Sequence, residues 1–176
     1  GRIGVTNTYD GLNRLTTSTD GQGGVTTYEY DQTSHVTKII DPLGHTKTYT
    51  YDTLGRMKTA TDGDNFTTFY EYDEVGNLLS VTDARSNVVS YTYDGRNKLR
   101  TDTNSSGTRT YDYDEMGNLI DAVDRNGRER LYGYDRANRL VSEQWIENSL
   151  VIAEIVMTYD LDGRVLSLTD GTTSIV

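Results

Sequence analysis

Anchored on the dipeptide Tyr-Asp, the chain returns to itself at Tyr9, Tyr30, Tyr51, Tyr72, Tyr93, Tyr113, Tyr134 and Tyr159, with spacings of 21, 21, 21, 21, 20, 21 and 25 residues. A fixed period of this length is the mark of a chain built from one repeated supersecondary unit, and it limits the fold more than any other feature. Six anchors carry a second tyrosine two residues earlier, Tyr28, Tyr49, Tyr70, Tyr91, Tyr111 and Tyr132, and Met157 takes that place at the last. All 14 tyrosines fall within this pattern.

Four residues after each anchor stands Asn13, Ser34, Gly55, Gly76, Asn97, Gly117, Asn138 or Gly163. Gly and Asn tolerate a positive φ, so this position reads as a turn corner. A polar residue follows, usually Arg, Asn or Lys, and then an apolar one in every repeat: Leu15, Val36, Met57, Leu78, Leu99, Leu119, Leu140 and Val165. Eleven residues after the anchor a second acidic turn begins, at Asp20, Asp41, Asp62, Asp83 and Asp124. The fifth repeat is one residue short and has Asn-Ser-Ser-Gly from Asn104 instead.

Each unit therefore holds two turns and two runs of about five residues rich in Thr, Tyr and Val, which are strand lengths and strand compositions. Short turns between successive strands require antiparallel neighbours. The expected fold is all-β: a repeat protein whose residues 1–176 form about eight 21-residue β-hairpins in a continuous curled or spiralling antiparallel sheet. The paired tyrosines share a face, with Glu29, Thr50, Glu71, Thr92, Asp112 or Gly133 between them on the other. A ladder of rings then buries area at low entropic cost, and the Asp after each anchor is expected to cap its turn through N–H groups two or three residues on. The apolar residue after the first turn and the next small one (Ile39, Ala60, Val81, Ala122) are three apart, which calls for a bulge or a bent strand.

One segment leaves the period. Residues 142–158 carry a four-residue insertion, the only tryptophan, Trp145, and a dense apolar run, and read as a longer hairpin with its tip at Glu147–Ser149. Such a hairpin would cover one end of the array or pack into its interior. Residues 171–176 read as a truncated continuation, and the absent initiator Met and mid-pattern start suggest a piece of something longer.

Composition limits the function classes. Only 34% of residues are apolar, yet the strict placement of Tyr and Thr implies order. A net charge of −10 argues against nucleic acid and anionic lipid as partners. No run approaches a membrane span, the start carries no signal-peptide pattern, and with no cysteine there is no disulfide or thiolate chemistry. The acidic residues sit at repeated turn positions, whereas a catalytic carboxylate pair should break the period. His35 and His45 occupy turns in one neighbourhood but lack a third metal ligand. Asp62–Asn65 is a fragment of a calcium-type loop, and Asn65 and Asn104 begin glycosylation triplets. The reading is of no enzyme, no cofactor and no metal. The 14 tyrosines, with Gly55, Gly76, Gly117 and Gly163, are expected to be structural repeat positions.

The stretch YDTLGRMKTATDGDNFTTFYEYDEVGNLLSVTD, Tyr51 to Asp83, resembles the YD repeat of RHS proteins, in which YD-x-x-G-[RN]-[LV] is followed by TD. That family comprises bacterial polymorphic toxins, the B and C components of insecticidal toxin complexes, and teneurins. The resemblance implies a spiralling sheet closed into a hollow shell, a toxin domain enclosed in the bacterial members, and a secreted or cell-surface location. Isolated, the chain would present open sheet edges, which invite edge-to-edge self-association. The family's closing region and its aspartyl cleavage site have no counterpart here, since Asp-Pro-Leu-Gly at Asp41 is an ordinary repeat turn. About 16 strands at roughly 4.8 Å spacing make a sheet about 77 Å wide, which closes to a ring only about 25 Å across. A 100-residue cargo exceeds about 30 Å in diameter, so the expected role is a segment of a larger shell. A four-bladed propeller is disfavoured because odd and even repeats do not alternate. The alternative function is a cell-surface module that binds glycan or a partner protein through exposed tyrosines.

Overall fold

The computed structural model describes residues 4–170; residues 171–176, and with them the suggested continuation, lie outside the described residues. The chain divides into two units between Val88 and Val89. The first contains β1 (Thr6–Tyr9), β2 (Leu15–Thr19), β3 (Val25–Tyr30), β4 (Val36–Ile40), β5 (Thr46–Tyr51), β6 (Met57–Thr61), β7 (Thr67–Tyr72) and β8 (Leu78–Thr82). The second contains β9 (Val88–Tyr93), β10 (Leu99–Asn104), β11 (Gly107–Tyr113), β12 (Leu119–Val123), β13 (Glu129–Tyr134), β14 (Leu140–Glu147), β15 (Leu150–Tyr159) and β16 (Val165–Asp170). Within each unit strand order is chain order and the pairing is antiparallel. No described residue is helical. The all-β hairpin array expected from the sequence is the fold observed, and eight consecutive strands in one unit's sheet leave no place for four-stranded propeller blades.

One turn geometry accounts for most of the connections. The Asp N–H donates to the carbonyl four residues on, and its carbonyl accepts from the N–H three residues on, as between Asp10 and Arg14 (2.9 Å) and Asn13 and Asp10 (2.9 Å). Thirteen turns among the described residues close this way, at first and second acidic positions alike. The corner residue must enter the left-handed region: φ is 63° at Asn13, 70° at Ser34, 79° at Gly55 and 103° at Gly76, and is positive at Asn97, Gly117, Asn138 and Gly163 as well. In the short fifth repeat, Asn104 faces Gly107 directly across a two-residue turn.

The three-residue spacing of apolar positions is a β-bulge. Glu29 faces Lys38 while Tyr30 faces Val36, so Thr37 has no partner in the register. The same shift falls beside Tyr9, Tyr51, Tyr72, Tyr113, Tyr134 and Tyr159, and between Leu99 and Thr101 opposite Tyr93. It puts each anchor tyrosine opposite the apolar residue of its own hairpin.

No apolar side chain among the described residues is fully buried. The tyrosines are half-buried, apart from Tyr9 at 55% exposed, while Glu29, Thr50, Glu71 and Thr92 between them are exposed. Cover for the rings is lateral: Tyr28 stands opposite Ile39, Tyr49 opposite Ala60 and Tyr70 opposite Val81. The long strands β14 and β15 meet at Asn148 (φ 50°) and Ser149 (φ 63°), a two-residue primed turn. They pair with β13 and β16 in line. The hairpin is therefore laid within the second unit's sheet and does not cross its end, because its backbone groups are satisfied by strands on both sides.

Candidate functional site

The turn carboxylates act as backbone acceptors. Asp10 Oδ1 accepts from the N–H groups of Leu12 (2.9 Å) and Arg14 (3.0 Å), and Asp20, Asp31, Asp41, Asp52, Asp62, Asp83 and Asp135 make the same two contacts. The cap reaches two and four residues on, where the sequence suggested two or three. The N–H three residues on is already given to the Asp carbonyl, so the side chain takes the donors on either side of it. Hydrogen bonds that favour the charged form hold the Asp10 and Asp52 carboxyls below the ordinary 3.8, led by the Arg14 N–H at Asp10 and the Arg56 N–H at Asp52. At Asp31 desolvation pushes upward, but the Thr33 hydroxyl and the His35 N–H outweigh it and bring the pKa to about 2.

The polar residue after the corner joins one repeat to the next. Arg14 Nε donates to Asp10 in its own turn (2.7 Å), Nη1 donates to the Asp31 carbonyl of the next (3.0 Å), and the guanidinium lies 4.7 Å from the centre of the Tyr30 ring. Arg56 repeats this with Asp52, the Asp73 carbonyl and Tyr72, and Arg139 with Asp135, the Asp160 carbonyl and Tyr159. Where the residue is Lys98, its ammonium covers Tyr113, and Arg96 supplies the bond to the Asp114 carbonyl. His35 stacks on Tyr51 at 4.7 Å. In return the anchor hydroxyls reach back one repeat: Tyr30 donates to the Leu15 carbonyl, Tyr51 to Val36, Tyr134 to Leu119 and Tyr159 to Leu140, at 2.6 to 3.0 Å.

Two acids interrupt this regularity in the second unit. The small apolar residue opposite the first tyrosine is Asp102 opposite Tyr91 and Glu143 opposite Tyr132. Asp102, 7% exposed, is the one buried polar residue among those described. It accepts from the Tyr111 hydroxyl (2.9 Å), pairs with Arg125, and has Arg109 at 3.5 Å. Arg125 also donates to Asn104 Oδ1 (3.1 Å) and the Gly107 carbonyl (3.2 Å), and so serves the turn that lacks an Asp. Glu143 accepts from the Trp145 indole N–H (2.8 Å), and Arg130 lies 5.1 Å above that ring. Between them a depression of about 400 Å³ opens over Tyr111 and Tyr132, lined also by Arg109, Ala122, Arg130 and Trp145. On the other face, Asp121 Oδ1 is buried without a partner. Burial, then Glu129 and Asp112, push that carboxyl upward.

The teneurin YD-shell family matches residues 8–144. The chain belongs to that family. Among solved structures, TcdB2–TccC3 without its hypervariable C-terminal region matches with a TM-score of 0.76 and 18% identity over 92% of this chain. TcdB2–TccC3–Cdc42 matches with 0.74 and 18% over 89%, and the Photorhabdus luminescens Tc holotoxin pore with 0.71 and 18% over 88%. The chain spans about 10% of the length of each, and at this identity the likeness concerns the fold. No curated protein matches the sequence. As a YD-shell segment the chain has a structural role.

Within this YD-shell segment the anchor tyrosines, Tyr9, Tyr30, Tyr51, Tyr72, Tyr93, Tyr113, Tyr134 and Tyr159, all stand opposite the apolar residue that opens the following strand. Tyr28, Tyr49, Tyr70, Tyr91, Tyr111 and Tyr132 stand opposite the small position. His35 and His45 do not share a neighbourhood. They flank β4, about 17 Å long, and each bonds the Asp of its own turn, Asp31 and Asp41. Asp62 caps its turn like the others. Asp102, Arg125 and Glu143 escaped the sequence reading, although a signal existed for the two acids: of the six repeats with a paired tyrosine, the series Ile39, Ala60, Val81, Ala122 covers four, and Asp102 and Glu143 fill the other two.

Proposed function

We propose that the chain is a non-catalytic stretch of YD-shell wall which, in the complete protein, helps to enclose a C-terminal toxin-type domain at or outside the cell surface. The observation that carries this reading is the uniform joint between repeats. Most turn carboxylates are occupied by backbone N–H groups, and the arginines Arg14, Arg56 and Arg139 are committed to the next repeat's carbonyl and ring, so the chemistry available to these residues is used in holding strands together. The remainder of the shell and the enclosed domain are the partners this reading assigns. Self-association through an open sheet edge is assigned to the chain when it stands alone.

Limited proteolysis of the complete protein tests the enclosure. The segment after the repeats should resist cleavage in the wild type and become cleavable when Arg14, Arg56 and Arg139 are all replaced by Ala. Free cleavage of that segment while the wild-type repeats stay intact would overturn it. The binding alternative gains support at one place, the depression over Tyr111 and Tyr132, where it adds a site to the wall.

A further inference from the structure

We propose that this depression binds one or two sugar rings, a neutral polyhydroxylated ligand held between the aromatic side chains and the charged groups at the rim. The inference rests on the binding reading and is independent of the wall reading. At about 400 Å³ the space falls within the range of small-ligand pockets. Tyr111, Tyr132 and Trp145 supply ring surface for the apolar C–H face of a sugar. Arg109 and Arg130, about half exposed, line the same space and bring guanidinium groups to its rim.

The charges decide the ligand class. The lining holds Arg109, Arg128 and Arg130 against Asp124, Glu129 and Glu147, which balances in a chain of net charge −10. A ligand with its own net charge meets as much repulsion as attraction there. A hydroxyl both donates and accepts, and suits a rim that offers guanidinium donors beside carboxylate acceptors. The arrangement is preorganised: Asp102, fixed by Arg125, accepts from the Tyr111 hydroxyl and orients it, and Glu143 fixes the Trp145 ring.

Other repeats build the wall without these residues. The positions of Arg109 and Arg130, two before the first tyrosine, are Thr26, Lys47, Thr68 and Val89 in other repeats, and those of Asp102 and Glu143 are Ile39, Ala60, Val81 and Ala122. The same hairpin forms with either set.

Trp145 is the only tryptophan, so its fluorescence reports on this depression alone. Titration of the full chain with cellobiose, maltose and N,N′-diacetylchitobiose should give a saturable change with at least one, with a Kd of about 1 mM. Calorimetric titration of Arg109→Ala and Arg130→Gln should show binding weakened about tenfold, while Lys47→Ala, at the same position in the first unit, leaves it unchanged; circular dichroism checks that each variant folds. Saturation unaffected by both arginine variants would overturn the location. Saturation by hexaglutamate with none by the sugars would overturn the ligand class and leave a peptide-binding reading. No response to sugar or peptide would end the binding reading as well, and none of these outcomes touches the wall.

Discussion

Asp102→Val installs the residue type found at Val81 one repeat earlier, and the change isolates what the buried carboxylate does. The Asp102 side chain is 9% exposed and that of Arg125 is 16%, so removing the acid strands a guanidinium largely cut off from water and takes the acceptor from the Tyr111 hydroxyl. Breaking one side of a buried pair costs about 3 to 5 kcal/mol, and the partial exposure of Arg125 places this case at about 3 kcal/mol. Arg125→Ala should cost less, about 2 kcal/mol, because Arg109 at 3.5 Å remains to partner Asp102. Removing both should cost about 2 kcal/mol, since no unpaired buried charge is left. The coupling is then about 3 kcal/mol in a double-mutant cycle. Urea denaturation of the four proteins measures it. Equal additive losses, with coupling below about 0.5 kcal/mol, would refute the argument that Asp102 and Arg125 form one unit.

Three other outcomes follow from the turns and the outer face. Gly55→Ala should cost about 2 kcal/mol and Gly163→Ala about 1 kcal/mol in the same assay: both have positive φ, but a methyl at Gly55 would lie 2.8 Å from the His35 ring, whereas nothing lies within 4 Å of Gly163. Asp31, held at about 2 against an ordinary 3.8, contributes stability above about pH 4 that is lost as pH falls toward 2, because the unfolded chain takes up the proton first. Asp31→Asn should therefore destabilise near neutral pH and lose its effect at about pH 2 in thermal melts. At Asp121 the sign reverses: the folded state disfavours the charge, so Asp121→Asn should stabilise by up to about 1 kcal/mol at neutral pH, and the gain should vanish in acid.

Much of the fold can be read from the sequence because local rules fix it. A residue such as Asn13 or Gly55 four positions after each tyrosine can only be a left-handed corner, and a corner of that kind fixes the hairpin. The spacing from Val36 to Ile39 called for a bulge or a bent strand, and the register shows the bulge. What escaped were contacts made across repeats. Arg14 looks like a turn residue until its reach of 17 positions to the Asp31 carbonyl is seen, and Asp102 looks like a neutral variant in a Thr-rich strand until Arg125 is found 23 positions away. The period fixes each repeat's own turns and strands but not which side chains reach the next. His35 and His45 misled for the opposite reason: they are close in sequence, but a strand between two turns sends its flanks to opposite ends of the sheet.

The joints described here have a bearing on how such chains vary in length. Arg14, Arg56 and Arg139 bond the neighbour's backbone carbonyl, a group every residue possesses, and cover the anchor tyrosine that each neighbour repeats, so the joint asks of the neighbour only what every repeat supplies. Modules connected in this way are interchangeable, and gain or loss of 21 residues in frame leaves each remaining connection intact. Asp102 and Arg125 differ, being an ion pair matched side chain to side chain. They fasten the fifth and sixth modules into an ordered pair, which recombination could not separate without loss.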